Sequence, residues 1–490
     1  MGLLLGIDIG TSGSKGVLTR VDGTVVATAT RAHGVSTPRP GWVEHDAETV
    51  WWADFLALTR ELLATAAQPV EAVAVSGIGP CLLPADGAGT PLRPAILYGV
   101  DTRATAQITA LTGELGAEAI LARGGTPLSS QAVGPKLRWL AEHEPEVWRR
   151  TRRWFMASSF LVHRLTGRYV LDHHSASQSD PLYDLRAADW AHDWAERVAP
   201  GLPLPELLWP TEIAGTVTRA AAGLTGLPEG IPVTAGTVDA WAEAVSVGVT
   251  EPGEVMVMYG TTMFLIQVQA DPVPSEALWT TRGTHPGTYS LAAGMATSGA
   301  VTDWLRTLVG ADYPTLLAEA ATSPPGARGL LLLPYFAGER TPIFDPAARG
   351  LLLGLTLHHT RADLYRATLE GVAHGVRHNL DTMAAAGGPP TRLVAVGGGT
   401  QGELWTQIVT DVTGHPQDVP EHTMGACLGN ALLAATATGH PVELSAWNPV
   451  ARTVHPDPAR AALYEQYHRH YRSLYPSTVD TMHFLAAQQG

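Results

Sequence analysis

The sequence predicts an α/β protein built of two similar halves with a ligand held between them. Three observations carry that expectation. The chain has 490 residues, too many for one core and comfortable for two domains of ordinary size. Its opening stretch over residues 3–18, LLLGIDIGTSGSKGVL, reads as strand, tight turn, strand. Residues 254–268, EVMVMYGTTMFLIQV, repeat that pattern about half a chain later, with Gly260, Thr261 and Thr262 between two apolar runs.

The first unit explains what such a repeat can hold. Gly10, Thr11, Ser12, Gly13 and Ser14 carry little or no side chain, so backbone N–H groups and short hydroxyls can approach phosphate oxygens closely. Asp8 ends the first apolar run, where a carboxylate can hold Mg2+ or its water shell, and Lys15 follows the turn. The same residues also suit an ordinary hairpin. Recurrence of the pattern favours the phosphate reading.

Composition narrows the class. A hydrophobic share of 45% with 16% charged residues describes a globular chain with a large interior. The formal charge of −14 argues against nucleic acid or an anionic membrane as partner, so a phosphate ligand must be held locally. Cys81 and Cys427 form no disulfide framework, no leader-like segment opens the chain, and no apolar run reaches membrane-spanning length. The expected location is cytoplasmic.

Along the chain, residues 24–30 read as a third strand. Asp46 is a good helix N-cap before the periodic run 50–66, which puts Trp51, Phe55, Leu58 and Leu62 on one face. Residues 69–77 form a buried strand, and 95–98 begin another that ends near Asp101 and Arg103. This acid–base couple reads as a surface ion pair or, at a strand end, as ligand contacts. Residues 113–167 are mostly helical, with an interruption at 124–131. His173 and His174 lack partners at metal-ligand spacing and read as a loop feature. Residues 231–248 run from a strand through a Gly-Thr turn to Asp239 at the mouth of an Ala-rich helix. In the helix 361–383, Glu370, His374 and His378 stand four apart, but Arg366, Arg377 and Asp381 share their side, which predicts a solvated face. Residues 393–402 carry a strand and a G-x-G-x-x-G run opening a helix. That run falls too late in the chain for a dinucleotide domain, and its glycines suit a nucleotide lying against backbone. A last helix spans about 461–475, its tyrosines at packing positions.

In this order the segments resemble the FGGY family of carbohydrate kinases, within the actin/hexokinase-like ATPase superfamily. Residues 5–15 look like its first phosphate segment and 41–46 like its GWVE-D element. Residues 237–240 resemble the segment of the catalytic acid, and 259–264 the second phosphate segment. Residues 338–342 with 354–371 are similar to its C-terminal signature, and 396–402 to its adenosine segment. The resemblance implies two ribonuclease H-like domains, 1–246 for the sugar and 247–490 for the nucleotide, closing over a central cleft. It implies ATP and Mg2+, a small sugar substrate, and room for a homodimer. Asp239 would be the general base and Asp8 the metal-organising acid. Thr11, Ser12 and Lys15 would contact phosphate, as would Gly260, Thr261 and Thr262. Ser298, Gly299, Gly398 and Gly399 would line the nucleotide, and Asp101, Arg103, Gln131, Asp239 and Phe264 the sugar.

One departure bears on the substrate. Xylulokinases of the family carry Gln-Met-His-Gly after the strand 73–77, where this chain has Gly77, Ile78, Gly79, Pro80 and Cys81. Their Trp-Asn-Asp run is here Tyr98, Gly99, Val100 and Asp101. A pentulose such as D-xylulose is the first expectation, with ribulose, another ketose or a ribitol-like polyol as alternatives. Glycerol is disfavoured, since the Arg-Glu pair of glycerol kinases is absent from that loop. A sugar-independent actin-like ATPase and a sugar-sensing binding protein are the readings from other classes.

Overall fold

The computed structural model describes residues 2–489. Strand β1 (Leu3–Ile9) is buried along its whole length, as a near-continuous apolar run should be in a sheet covered on both faces. It joins β2 (Gly13–Arg20) and β3 (Val25–Ala32) in an antiparallel meander. On its other side β4 (Val70–Gly77) runs parallel to it. Beyond β4 lie β6 (Pro232–Thr234) and, at the edge, β5 (Ile213–Thr216); the short β7 (Thr237–Val238) pairs with the end of β4.

The second sheet repeats this topology. Strands β8 (Glu254–Tyr259), β9 (Met263–Gln269) and β11 (Tyr289–Met295) form the antiparallel meander, edged by β10 (Trp279–Arg282). Parallel β12 (Arg392–Val396) and β13 (Gln417–Pro420) extend it past β8, and β14 (Val450–Val454) closes it. Meander first, then two parallel strands on the far side of the first strand, is therefore the order in both halves. The duplication read from two turns extends to the whole sheet.

Helices cover each sheet. Asp46 caps the first of them, accepting from the backbone N–H groups of Glu48 and Thr49. Trp51 and the residues Phe55, Leu58 and Leu62 of α1 (Ala53–Leu63) are buried against Leu3, Leu5, Ile7 and Ile9, with α3 (Ala157–Thr166) beside them; α2 (Val133–His143) belongs to a neighbouring cluster. The short α4 (His173–Ser177) follows, then α5 (Asp239–Ser246). In the second half come α6 (Gly299–Val309), α7 (Arg361–Gly387), α8 (Glu403–Thr413), α9 (Ala426–Ala437) and α10 (Ala461–Ala487).

Two of these helices cross between the halves. Trp241 and Ala244 of α5 pack on Met256, Ile266 and Val394 of the second sheet. Cys427, Leu428 and Ala431 of α9 pack on Leu4, Ala72 and Ala74 of the first. The pair thus forms a layer between the sheets, and α9 reaches back to strands that precede it by some four hundred residues.

Several local readings are corrected. The side of α7 carrying Arg366, Glu370 and His374 is not solvated: all three are buried under α10, a helix that runs on to Ala487 rather than ending near 475. There Glu370 accepts from Arg366 and Tyr464, and the His374 ring lies among Tyr464, His468 and Tyr471. His173 and His174 open α4 instead of a loop, and His174 is fully buried.

Candidate active site

A cavity of about 250 Å³ opens between the sheets at the ends of β1 and β8. Asp8, Lys15, Gln131, Asp239 and Phe264 of the expected site line it, with Thr262 from the second turn. Alternation along β1 explains the aim of Asp8. Leu3, Leu5, Ile7 and Ile9 face α1, so Leu4, Gly6 and Asp8 face the α5–α9 layer. Asp239 stands at the first residue of α5, and its own helix N–H at Ala240 donates to it.

Three acids share this wall. Burial, with the Asp8 charge added, pushes the Asp239 carboxyl above the usual range. Burial raises Asp8 as well, against the Ser76 hydrogen bond and the nearby Lys15 that pull it down. Glu243, one turn along α5, rises to about 7 for the same reason, although Lys15 opposes it. Proton-accepting groups crowded into a half-closed cleft are the setting in which a general base is tuned toward neutral pH.

The glycine turns flank the cavity. In the first, the Gly10 N–H closes on the Gly13 carbonyl at 3.0 Å, and the Thr11 and Tyr98 hydroxyls meet at 2.8 Å. Ser12 is exposed beside them. In the second, Ser298 and Ala300 donate to the Thr261 carbonyl and Gly299 to that of Gly260. The start of α6 is thereby locked against the turn. The Ser298 hydroxyl itself is buried without a partner among the described residues. Gly397 (φ +92°) passes so close that a Cβ would lie 2.6 Å from the Tyr259 carbonyl, which is why the run through Gly398 and Gly399 must begin with glycine.

Asp101 and Arg103 are not brought to the cavity. The Arg103 guanidinium is wholly buried, bonded to Asp101 at 2.6 Å and Glu44 at 2.8 Å, and lies 4.0 Å over the Trp42 ring. Asp101 also accepts from the Val43 N–H at 2.7 Å. Their polar atoms are spent on one another, so neither the surface pair nor the sugar contact expected of them matches their surroundings.

The sequence reading missed the groups that hold the site residues in place. His33 contacts the Gly10 carbonyl at 3.0 Å and Asp54 at 2.8 Å, while Ser14 donates to Asp54 at 2.7 Å. Asn430 of α9 donates to Ser76, which donates to Asp8 at 2.7 Å. Gln178, Asp180, Trp279 and Arg340 also line the cavity. Only the G-A-C-L-G-N run at 425–430 carried a signal, since small residues four apart mark a helix packed closely on another.

Two like sheets, a glycine turn on each, and an acid on the helix between them define a two-domain phosphotransfer fold of the actin/hexokinase-like kind. Models of the FGGY family of carbohydrate kinases match the chain, the N-terminal domain over residues 3–246 and the C-terminal domain over 255–438. The chain belongs to that family. It is 31% identical to a xylulose kinase of Escherichia coli, over 98% of this chain and 100% of that one. It is 32% identical to a glycerol kinase of Nocardia farcinica, over 89% and 90%. The crystal structure of a xylulose kinase from Rhodospirillum rubrum superposes with a TM-score of 0.92 at 33% identity, covering 98% of this chain and 100% of that one. The chain is an ATP-dependent carbohydrate kinase, and no helix among the described residues is long and apolar enough to cross a membrane.

Proposed function

We propose that the chain phosphorylates a pentulose, D-xylulose first, with Asp239 as general base. The observation that carries this reading is the meeting of Asp239, Asp8 and Lys15 in one cavity between the two turns. Asp239 takes the acceptor hydroxyl proton as that oxygen bonds to the γ-phosphorus; the bond from phosphorus to the β,γ-bridging oxygen breaks, and ADP leaves. The turn at Thr11 and Ser12 with Lys15, and the turn Gly260–Thr262, hold phosphate oxygens by backbone and hydroxyl donors. Gly299, Gly398 and Gly399 give the nucleotide a close backbone wall, and Ser298 acts through its backbone alone. Residues up to 246 supply the acceptor contacts, with Gln131 foremost and Phe264 across the cleft.

Mg2+ suits the residues present. Asp8 keeps one oxygen on Ser76 and leaves the other without a partner among the described residues, at the cavity wall. No group of three or more acidic, His or Cys ligands gathers among the described residues. Such a site fits an ion carried mostly by water and phosphate. When bound, Mg2+ supplies neutralisation of phosphate charge.

The relatives named xylulose kinase support D-xylulose, and the altered loop Gly77–Cys81 makes D-ribulose and ribitol the rivals. Use of ATP and two buried free thiols fit the cytoplasm. The test is ADP release from Mg-ATP across ketoses, aldoses and polyols, with Asp239→Asn as control. One sugar stimulating turnover, and a loss of ~10²–10⁴-fold in the variant, is expected. Turnover indifferent to every sugar and to the substitution would overturn the assignment.

A further inference from the structure

Asp180 is an acid on the cavity wall whose carboxyl is poorly satisfied. It is 4% exposed, yet its Oδ1 has no hydrogen-bond partner among the described residues. The residue lines the cavity shared with Asp239. Two glycines make room for it. A Cβ on Gly124 would sit 2.3 Å from Asp180 Oδ1, and one on Gly134 would sit 2.6 Å from the Asp180 carbonyl oxygen. The Gly134 N–H holds that carbonyl at 3.0 Å, so the backbone is tied down, while Oδ1 lies buried against Gly124 with no donor among the described residues.

Its neighbour Gln178 is oriented toward the same space. The His174 Nδ1 meets the Arg282 carbonyl at 2.7 Å, which requires a proton there, so Nε2 of the neutral ring is an acceptor. Gln178 Nε2 donates to it at 2.6 Å, leaving the amide oxygen for the cavity. A carboxyl and an amide oxygen, both short of donors, make a wall suited to ligand hydroxyls. A buried unpaired carboxyl destabilises a fold. Its place in a ligand cavity gives it a partner that arrives with the substrate.

We propose that Asp180 is a specificity-determining residue that binds a hydroxyl of the acceptor other than the one phosphorylated. The inference rests on the sugar-kinase reading and narrows it to acceptors with a second, suitably placed hydroxyl.

The test compares the parent, Asp180→Asn and Asp180→Ala by ADP release on D-xylulose, D-ribulose, ribitol and their singly deoxygenated analogues, with thermal melts of each protein. The expected result for Asp180→Ala is a rise in acceptor KM on the order of ten- to a hundredfold, with kcat within about threefold. The melting temperature stays level or rises, because an unpaired buried group has been removed. Asp180→Asn, which keeps an acceptor oxygen, falls between. One deoxygenated analogue has the same KM with parent and Asp180→Ala, identifying the hydroxyl. A folded Asp180→Ala protein whose KM is unchanged for every acceptor overturns the proposal and leaves the kinase reading standing. So does a KM that rises equally for all analogues together with a lower melting temperature. A parent enzyme that no acceptor stimulates overturns both.

Discussion

Gly429 is the position where one methyl group should disable catalysis without touching a substrate. It lies on α9, and a Cβ built there falls 1.8 Å from the carbonyl oxygen of Ala242 on α5, where real contacts stay above 3.0 Å. The opposing atom is helix backbone, which cannot rotate away. The helices must therefore part by at least ~1.2 Å, because a packed interior has no slack to absorb the methyl group. The other side of α5 is fixed on the second sheet by Trp241 and Ala244, so the displacement tilts or slides α5 and carries Asp239, one turn before Ala242. A misplacement of ~1 Å at a reacting group costs roughly 10²-fold in rate. Overpacking of this kind costs ~1–3 kcal/mol in stability. Gly429→Ala is expected to lose about two orders of magnitude in kcat for ADP release at saturating sugar and Mg-ATP while still melting cooperatively. Gly113→Ala is the control: nothing lies within 4 Å of its Cβ, it sits in the helix Thr105–Leu115, and Ala gains up to ~1 kcal/mol there. A Gly429→Ala enzyme with kcat within threefold of the parent would refute the claim that α9 seats the base.

Three further outcomes follow from the same geometry. Arg103→Leu leaves Asp101 buried without its cation, while Glu44 keeps Arg93, and should cost ~3–5 kcal/mol in urea unfolding, with acceptor KM unchanged; a raised KM at preserved stability would return Arg103 to the sugar site. Burial, with the His468 and Arg377 charges behind it, holds His374 well below its ordinary value of 6.5, so the unfolded chain binds a proton there that the folded one refuses. Stability from this group is present above pH 6.5 and lost as pH falls, so His374→Leu should gain on the parent by ~1 kcal/mol between pH 6.5 and 5.5, and an equal gap at both pH values would count against it. His33 is raised above 6.5, chiefly by its hydrogen bond to Asp54; its hold on the first turn is full below 6.5 and fades as pH rises through the raised value. Asp54 is lowered by His33 and Ser14 despite its burial, so its share fades only as pH falls below the ordinary carboxylate range. The KM for ATP should climb above neutral pH in the parent and be high and pH-independent in His33→Asn.

What could be read from the sequence were features whose causes are local. The strand–turn–strand units, the Asp46 cap and the placement of Asp239 before an Ala-rich helix each depend on a handful of adjacent residues. The polar side of α7 could not be read, because periodicity shows which side of a helix is apolar but not whether a second helix covers the other. Here α10 covers it, bringing Tyr464 to Glu370 across 94 positions. The burial of Asp101 and Arg103, against the surface-pair reading, could not be read for a related reason: it needs Trp42, Glu44 and Trp139, which come from two other segments. Asp180 gave no sign at all, since nothing in S-Q-S-D-P-L distinguishes a cavity acid from a turn.

The exchange of helices between the halves explains why the two carboxylates sit in register. Asp8 belongs to the first strand, and Asp239 to a helix that leaves the first half to pack on the second sheet. Neither sheet alone fixes their separation. One element touches both: α9 orients Asp8 through Asn430 and Ser76, and seats the helix of Asp239 at Gly429. Asn430 also donates to the Ile7 carbonyl at 2.7 Å, which ties α9 to β1 itself. A movement that opens the cleft by shifting the second sheet must then act on α5 and α9 together. It changes the distance from the acceptor to the nucleotide turns while leaving Asp8 and Asp239 related to each other through α9. The two carboxylates are thus held relative to each other by one helix rather than by either sheet.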